Sequence, residues 1–250
     1  MFPYIEVSSW TIFHRTFPVF VTLVLWAVVV AVAIIVLRGR RAGLPASRLE
    51  EMCLWAVLIG FIGAHVFRLA YDGPAAWAVL KNPLTFLQIG GIASFGGFFG
   101  GLAAIWAFFL RHRIRGTERW KYLDAASYAI PFAWIFGRMG CALVHDHPGI
   151  RTTSWLGVRF PGGTRYDLGL LEVLFLAAQA LVFLWLGRRR RTPGFFFAAF
   201  FVPYGIFRLI IDQLHVDPPR YVGISVDQYA ASSVICAGLA AWFWAVRRAV

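Results

Sequence analysis

The stretch GRMGCALVHDHPG places an arginine, a cysteine and a His-Asp-His triplet at the end of a long apolar run. Arg138 and Cys141 are about one helical turn apart, and His145, Asp146 and His147 follow where the run ends. The planar fork of an arginine suits phosphate, and a neutral histidine can accept a proton near pH 7. A cysteine thiolate is a nucleophile. These five side chains are therefore candidates for anion binding and proton transfer.

The same residues have plainer interpretations, which the sequence leaves open. Cys141 is small enough to pack between helices, and the histidines could belong to a solvated loop. A metal site at His145, Asp146 and His147 is not expected, because no further set of donors clusters near them in the sequence. No cofactor is expected either.

Five more ionisable residues lie inside or at the ends of apolar runs, where charge is costly and therefore indicates function. They lie towards the same side of the predicted membrane as Arg138, which predicts one polar chamber in the outer half. Some have simpler explanations, such as an Arg208–Asp212 pair on one helix face or a glutamate that neutralises an arginine. The five residues are His65, Arg68, Glu172, Arg208 and Asp212.

The composition excludes an ordinary soluble domain. The 250 residues are 60% hydrophobic and 14% charged, whereas soluble domains are roughly 45–50% apolar and about 25% charged. The net charge of +12 does not indicate nucleic-acid binding, because the cations cluster between apolar runs. Anionic lipid and membrane topology explain that placement better.

We expect an all-α, polytopic membrane protein with seven transmembrane helices, because seven apolar runs approach the ~20 residues that a spanning helix needs. The predicted spans are Phe17–Leu37, Met52–Ala70, Gly90–Leu110, Leu123–Val144, Leu168–Leu186, Pro193–Ile211 and Val226–Val246.

The distribution of cations predicts the orientation, because cytoplasmic loops are rich in Lys and Arg. Most of these residues lie in 38–51, 111–121, 188–191 and the last residues of the chain. The N-terminus is therefore expected outside and the C-terminus in the cytoplasm. We expect residues 1–250 to form a single integral membrane domain, with outer segments 71–89 and 145–167 that hold interfacial or head structure.

The stretch GGIASFGGFFGG contains Gly96, Gly97 and Gly101. Gly97 and Gly101 form a GxxxG motif, which permits close helix packing, and glycine also allows backbone amides to approach a ligand. Both interpretations remain open.

Four stretches together resemble the prolipoprotein diacylglyceryl transferase family. They are KNPLTFLQIGGIASFGGFFGG, GRMGCALVHDHPG, LGLLEVL and YGIFRLIIDQ. The resemblance implies an enzyme of the bacterial inner membrane without a cofactor. Such an enzyme transfers a diacylglyceryl group from phosphatidylglycerol to the lipobox cysteine of a secreted prolipoprotein, so the implied partners are phosphatidylglycerol, the prolipoprotein signal peptide and membrane lipids.

The resemblance also implies roles for individual residues. The two arginines of the family motifs fall on Arg138 and Arg208, which would bind the phosphate. Family carboxylates fall on Asp146, Glu172 and Asp212. The closing glycine of the signature falls on Gly149, and the SFHGG glycines fall on Gly96 and Gly97.

The chain departs from the family pattern at Phe95, where the family has a histidine, and at Cys141, where it has an asparagine. We therefore expect His145 or His147 to replace the missing histidine as the base, with Asp146 orienting one of them. Two alternatives remain open at this point. One is a catalytically altered relative that binds or processes another anionic phospholipid, and the other is a small-molecule transporter.

Overall fold

The computed structural model describes residues 1–72 and 93–247. Within these ranges the chain forms long helices joined by short strands and turns. The helices are α1 (Val19–Arg41), α2 (Ala46–Asp72), α3 (Ser94–Arg111), α4 (Thr117–Val144), α5 (Leu168–Leu186), α6 (Phe195–Asp212) and α7 (Val226–Arg247).

Helices α1 to α6 are long and apolar enough to cross a membrane, so the chain is a multi-pass membrane protein. The seventh predicted span coincides with α7, a helix of 22 residues. That α7 crosses the membrane, and that the N-terminus lies outside, remain predictions.

Two helices begin several residues before the predicted spans. Helix α2 begins at Ala46 and α4 at Thr117. The predicted spans start too late because the first turns of these helices are polar, and hydropathy detects only apolar residues. The predicted third span began at Gly90, and its first residues lie outside the described ones. The predicted outer segment 71–89 also lies outside the described residues, apart from its first two.

Short strands, which the all-α prediction did not include, lie at one end of the helical bundle. Each strand has five residues or fewer, too few for a clear alternation of polar and apolar residues. They are β1 (Ser9–Ile12), β2 (Arg15–Pro18), β3 (Pro148–Arg151), β4 (Val158–Phe160), β5 (Gly163–Asp167), β6 (Arg220–Tyr221) and β7 (Ile224–Ser225).

The strands pair antiparallel as β1–β2, β3–β5–β4 and β6–β7. The three-stranded sheet connects the end of α4 to the start of α5. The N-terminal segment joins it, because Phe2 donates its N–H to the carbonyl of Gly157 at 2.8 Å. Residues 145–167 therefore form a sheet beside the helix ends that hold Arg138 and Glu172.

Helix packing brings the four helices of the polar residues together. Helix α4 packs against α1, α5 and α6, and α6 packs against α7. Helix α3 packs closely on α2 through glycines. A Cβ atom at Gly63 would lie 2.6 Å from the carbonyl oxygen of Gly96, and one at Gly100 would lie 2.6 Å from that of Ile59. The closest contact thus uses Gly96 and Gly100, one residue before the predicted motif.

Candidate active site

A buried carboxylate joins two arginines from different helices. Arg138 Nε lies 2.9 Å from Glu172 Oε1, and Arg208 Nη1 lies 3.0 Å from Glu172 Oε2. Glu172 is only 1% exposed, and its Oε1 also accepts a hydrogen bond of 2.9 Å from the Tyr204 hydroxyl. We call Arg138 and Arg208 the arginine pair. Glu172 fixes the two guanidinium groups on either side of one carboxylate. The sequence had left open such a glutamate that neutralises an arginine.

Arg208 has a second acidic partner that sequence analysis did not predict. Its Nη2 lies 2.5 Å from Asp227 Oδ2, and Asp227 also accepts a hydrogen bond from the Tyr71 hydroxyl. Asp212, one turn after Arg208, instead accepts a hydrogen bond of 2.9 Å from Ser225 Oγ. Arg208 therefore bridges to other helices, and the simple pair with Asp212 on one helix face is not what the structure shows.

The arginine pair lies at a cavity of about 290 Å³, which we call the arginine cavity. Arg138 also donates a hydrogen bond of 2.6 Å to Ser94 Oγ, at the start of α3. Arg208 Nε is buried and has no hydrogen-bond partner among the described residues. The polar residues that line the cavity are Arg68, Tyr71, Ser94, Arg138, Asp146, His147, Arg208, Asp212, His215, Asp217, Ser225 and Asp227.

His147 and Asp146 reach the arginine cavity, and Cys141 lies beside them. His147 Nδ1 hydrogen-bonds to Asp146, and Arg138 Nη1 lies 4.0 Å from Cys141 Sγ. Burial lowers the pKa of His147, but the hydrogen bonds to Asp146 and Cys141 outweigh burial and raise it to about 9. His147 is therefore protonated at neutral pH.

His145 lies elsewhere, although it is only two residues from His147. It ends α4 with a left-handed backbone (φ 52°), and its Nδ1 lies 2.5 Å from Asp167 Oδ2. Its ring stacks on Tyr4 at a centroid distance of 4.3 Å. Asp167 also caps α5 by accepting the Leu170 N–H at 2.9 Å. His145 thus joins the end of α4 to the start of α5 and does not line the cavity.

Four other candidates from the sequence are packed in the protein away from the cavity lining. Gly96 and Gly97 face α2, where a Cβ atom at Gly96 would lie 2.4 Å from the carbonyl oxygen of Gly63. His65 packs against Phe61 at a ring-centroid distance of 4.8 Å. Gly149 permits a close approach of β3, since a Cβ atom there would lie 2.7 Å from the carbonyl oxygen of Leu214.

His215 is a cavity residue that sequence reasoning missed. It follows the end of α6, and its Nδ1 lies 4.0 Å from Asp212 Oδ1. Burial and then the charge of Arg208 lower the pKa of His215. A polar residue three positions after Asp212 was the only signal in the sequence, and it looked like an ordinary loop residue.

A family model described as prolipoprotein diacylglyceryl transferase matches residues 10–244. A phosphatidylglycerol--prolipoprotein diacylglyceryl transferase of Solidesulfovibrio magneticus is 30% identical over 84% of this chain and 84% of its own length. Another from Clostridium perfringens, numbered 2, is 26% identical over 85% of this chain and 84% of its own length. The chain belongs to the prolipoprotein diacylglyceryl transferase family.

Phe95, which the sequence resemblance places where the family has a histidine, lies at the arginine cavity. The Phe95 side chain is buried and lines the arginine cavity, and Arg208 Cζ lies 5.3 Å from the centre of its ring. The Phe95 ring thus lies beside Arg208, where an aromatic ring favours a cation.

Two groups of side chains could hold a metal ion by their spacing. They are Cys141 with Asp146 and His147, and Asp212 with His215 and Asp227. Asp227 already accepts hydrogen bonds from Arg208 and Tyr71, and two guanidinium groups lie nearby. A hydrogen-bond network accounts for these contacts, so the absence of a metal site remains our prediction.

Proposed function

We propose that the chain transfers a diacylglyceryl group from phosphatidylglycerol to the cysteine thiol of a prolipoprotein. The observation that supports this proposal most is the arginine pair on Glu172, beside a cavity at one end of apolar helices. A phospholipid substrate needs such an arrangement, because its phosphate must be bound while its acyl chains stay in the membrane. The family membership gives the same reaction.

The arginine pair would bind the phosphate of the lipid. A guanidinium group has five N–H donors, so the contacts with Glu172, Asp227 and Ser94 leave donors on both arginines. Arg208 Nε is one of them. Contacts between an arginine and a phosphate are strong in a buried site, and they stabilise the charge of the leaving group as it forms.

At the glycerol carbon the reaction forms one bond and breaks one bond. The cysteine sulfur of the prolipoprotein attacks the glycerol carbon that bears the phosphate ester, and the bond between that carbon and the ester oxygen breaks. Glycerol phosphate leaves with the bonding electrons, and a base takes the thiol proton.

We assign the base to His215 and a cationic role to His147. The lowered pKa leaves His215 neutral near pH 7, so its ring can accept the thiol proton, and Asp212 lies close enough to stabilise the resulting charge. His147, with a pKa of about 9, supplies positive charge near the phosphate or the leaving oxygen. Asp146 would orient His147 through their hydrogen bond, whereas His145 stays outside this proposal because it binds Asp167.

We further propose that the arginine cavity opens on the outer face of the bacterial inner membrane, where the signal peptide of the precursor would arrive. The basic segments at the opposite helix ends support this orientation through the positive-inside rule.

The test is a transfer assay in proteoliposomes that contain labelled phosphatidylglycerol and a lipobox peptide. We expect Arg138→Ala and Arg208→Ala each to lower the rate at least 100-fold, whereas Arg159→Ala, on exposed β4, leaves it unchanged. Transfer within a few fold of wild type in both cavity variants would refute the proposal.

A second comparison tests the assignment of the histidines. We expect His215→Asn to lower the rate at least 100-fold and His147→Asn to lower it less, whereas His65→Asn has little effect. A normal rate for His215→Asn would refute the assignment of the base to His215.

A further inference from the structure

A second cavity lies at the opposite end of the helices. Its volume is about 740 Å³, and we call it the basic pocket. Along α4, the 14 residues from Asp124 in this pocket to Arg138 correspond to about 21 Å. The charged or polar residues that line it are Arg38, Arg41, Lys121, Asp124, Arg188, Arg189, Arg190 and Arg191.

The basic pocket contains many cations without acidic partners. Asp124 is the acidic residue among its lining residues in the described part of the chain. Both oxygens of Asp124 accept backbone hydrogen bonds at the start of α6, from Gly194 N–H at 2.8 Å and Phe197 N–H at 2.9 Å. Among the described residues, no carboxylate lies within ion-pair distance of the cations that line the pocket. The pocket therefore has an uncompensated positive charge.

One of these cations is held in place by the fold. The Arg38 guanidinium lies 4.0 Å from the centre of the Tyr128 ring and donates a hydrogen bond of 3.3 Å to the carbonyl of Gly187. Gly187 allows the Tyr128 side chain to approach the backbone closely, because a Cβ atom at residue 187 would lie 2.7 Å from the Tyr128 hydroxyl oxygen. Arg38 is half-buried, whereas the arginines of 188–191 are exposed at the rim. A half-buried cation at the base and exposed cations at the rim suit an anion that enters from the membrane surface.

The surroundings indicate that this anion belongs to a lipid. Trp185, in the last turn of α5, is 65% exposed and precedes the arginines of 188–191. A tryptophan exposed at a helix end marks the level of the lipid headgroups. Basic pockets between transmembrane helices bind the phosphate groups of anionic lipids.

We propose that the basic pocket binds the phosphate headgroup of an anionic phospholipid in the leaflet opposite the arginine cavity. Positive charge that only sets topology requires neither a concave site nor an arginine held on an aromatic ring. The proposal does not depend on the transfer reaction, because the two sites share no lining residue.

The experiment is a titration of the full-length protein in detergent, followed by native mass spectrometry. The probes are dioleoyl phosphatidic acid and, for comparison, dioleoyl phosphatidylcholine. The pocket variant is Arg188→Gln with Arg190→Gln, and the matched control is Arg40→Gln with Arg115→Gln, which removes the same charge from exposed residues outside the pocket.

We expect the pocket variant to weaken about 25-fold the phosphatidic acid binding event that Arg138→Ala leaves in place, since each cation near the surface contributes about five-fold. The control variant should weaken it two-fold or less, and phosphatidylcholine should bind weakly to all three proteins. Equal losses in the two variants would overturn the proposal, because they would show general attraction to charge and no site.

Two further arms identify the ligand and the site. Arg38→Gln, a single change at the base of the pocket, should also weaken binding at least five-fold. Arg138→Ala, at the other cavity, should leave this binding event in place. Full competition by millimolar inorganic phosphate or glycerol phosphate would show that the pocket takes a free phosphate, and the lipid assignment would be wrong.

Discussion

Replacing Glu172 by glutamine is the most direct test of the buried network, because it removes the charge between the arginine pair and preserves the size of the side chain. Glu172 is 1% exposed, and its two oxygens lie 2.9 Å from Arg138 Nε and 3.0 Å from Arg208 Nη1. Removing one partner of a buried ion pair costs about 3–5 kcal/mol. We expect the free energy of unfolding to fall by that amount.

Glu51→Gln is the matched control. Glu51 also lies near two basic side chains, with His112 Nε2 at 3.0 Å and Arg111 Nε at 3.8 Å, but its side chain is 34% exposed. An exposed pair contributes about 0–1 kcal/mol, so the control should change stability little. Chemical unfolding in detergent micelles, followed by tryptophan fluorescence, measures both variants.

The same substitution should affect the transfer rate for a separate reason. Without the carboxylate, the guanidinium groups repel each other and lose the geometry needed to bind the phosphate. A displacement of about 1 Å in an active site can cost about 100-fold in rate. A Glu172→Gln variant with stability within 1 kcal/mol of Glu51→Gln, and with a normal rate, would refute the role that we give to Glu172.

Three further predictions concern the elements around the site. At pH values below 6.5, His147→Asn should lower Tm, because the variant loses roughly 1 kcal/mol of stability from this partly exposed pair. Thermal scans should show the difference from wild type vanish as pH rises through about 9, because a raised pKa stabilises only the protonated form. A difference that persists above pH 10 would contradict the cause that we give. Gly63→Ala should destabilise the α2–α3 contact by about 1–3 kcal/mol, since its Cβ atom would lie 2.6 Å from a backbone carbonyl, whereas Gly137→Ala, which meets nothing within 4 Å, should be neutral or stabilising in the same unfolding assay. Asp167→Asn should cost about 1–2 kcal/mol, because it retains the helix cap but replaces the carboxylate oxygen that contacts the Nδ1 atom of His145. A stability equal to wild type would refute the contribution that we give to this contact.

The arginine pair and Glu172 were predictable because charge inside an apolar run is costly and needs a reason. Their contacts with each other follow from helix packing. Asp227 was not predictable, since it lies at the start of the last apolar run, where an acidic residue is common. Its contact with Arg208 depends on the angle between α6 and α7, which the sequence does not reveal.

The two histidines of the HDH triplet show a different limit of sequence analysis. They are neighbours in the chain, and the prediction treated them alike. The helix ends at His145 with a left-handed backbone conformation, which turns His147 towards the arginine cavity and His145 towards Tyr4 and Asp167. The backbone conformation of a single residue therefore places the two histidines in different surroundings. Residue spacing in the sequence does not predict that conformation.

The chain order of the buried network has a consequence for biosynthesis. Arg138, Glu172, Arg208 and Asp227 lie on four successive helices, and the last of them is only a few residues into α7. In a nascent chain that still lacks α7, Arg208 has one acidic partner instead of two. The site is therefore complete only after α7 has been made, and termination before residue 226 would yield a membrane protein that lacks Asp227 even if its earlier helices had inserted.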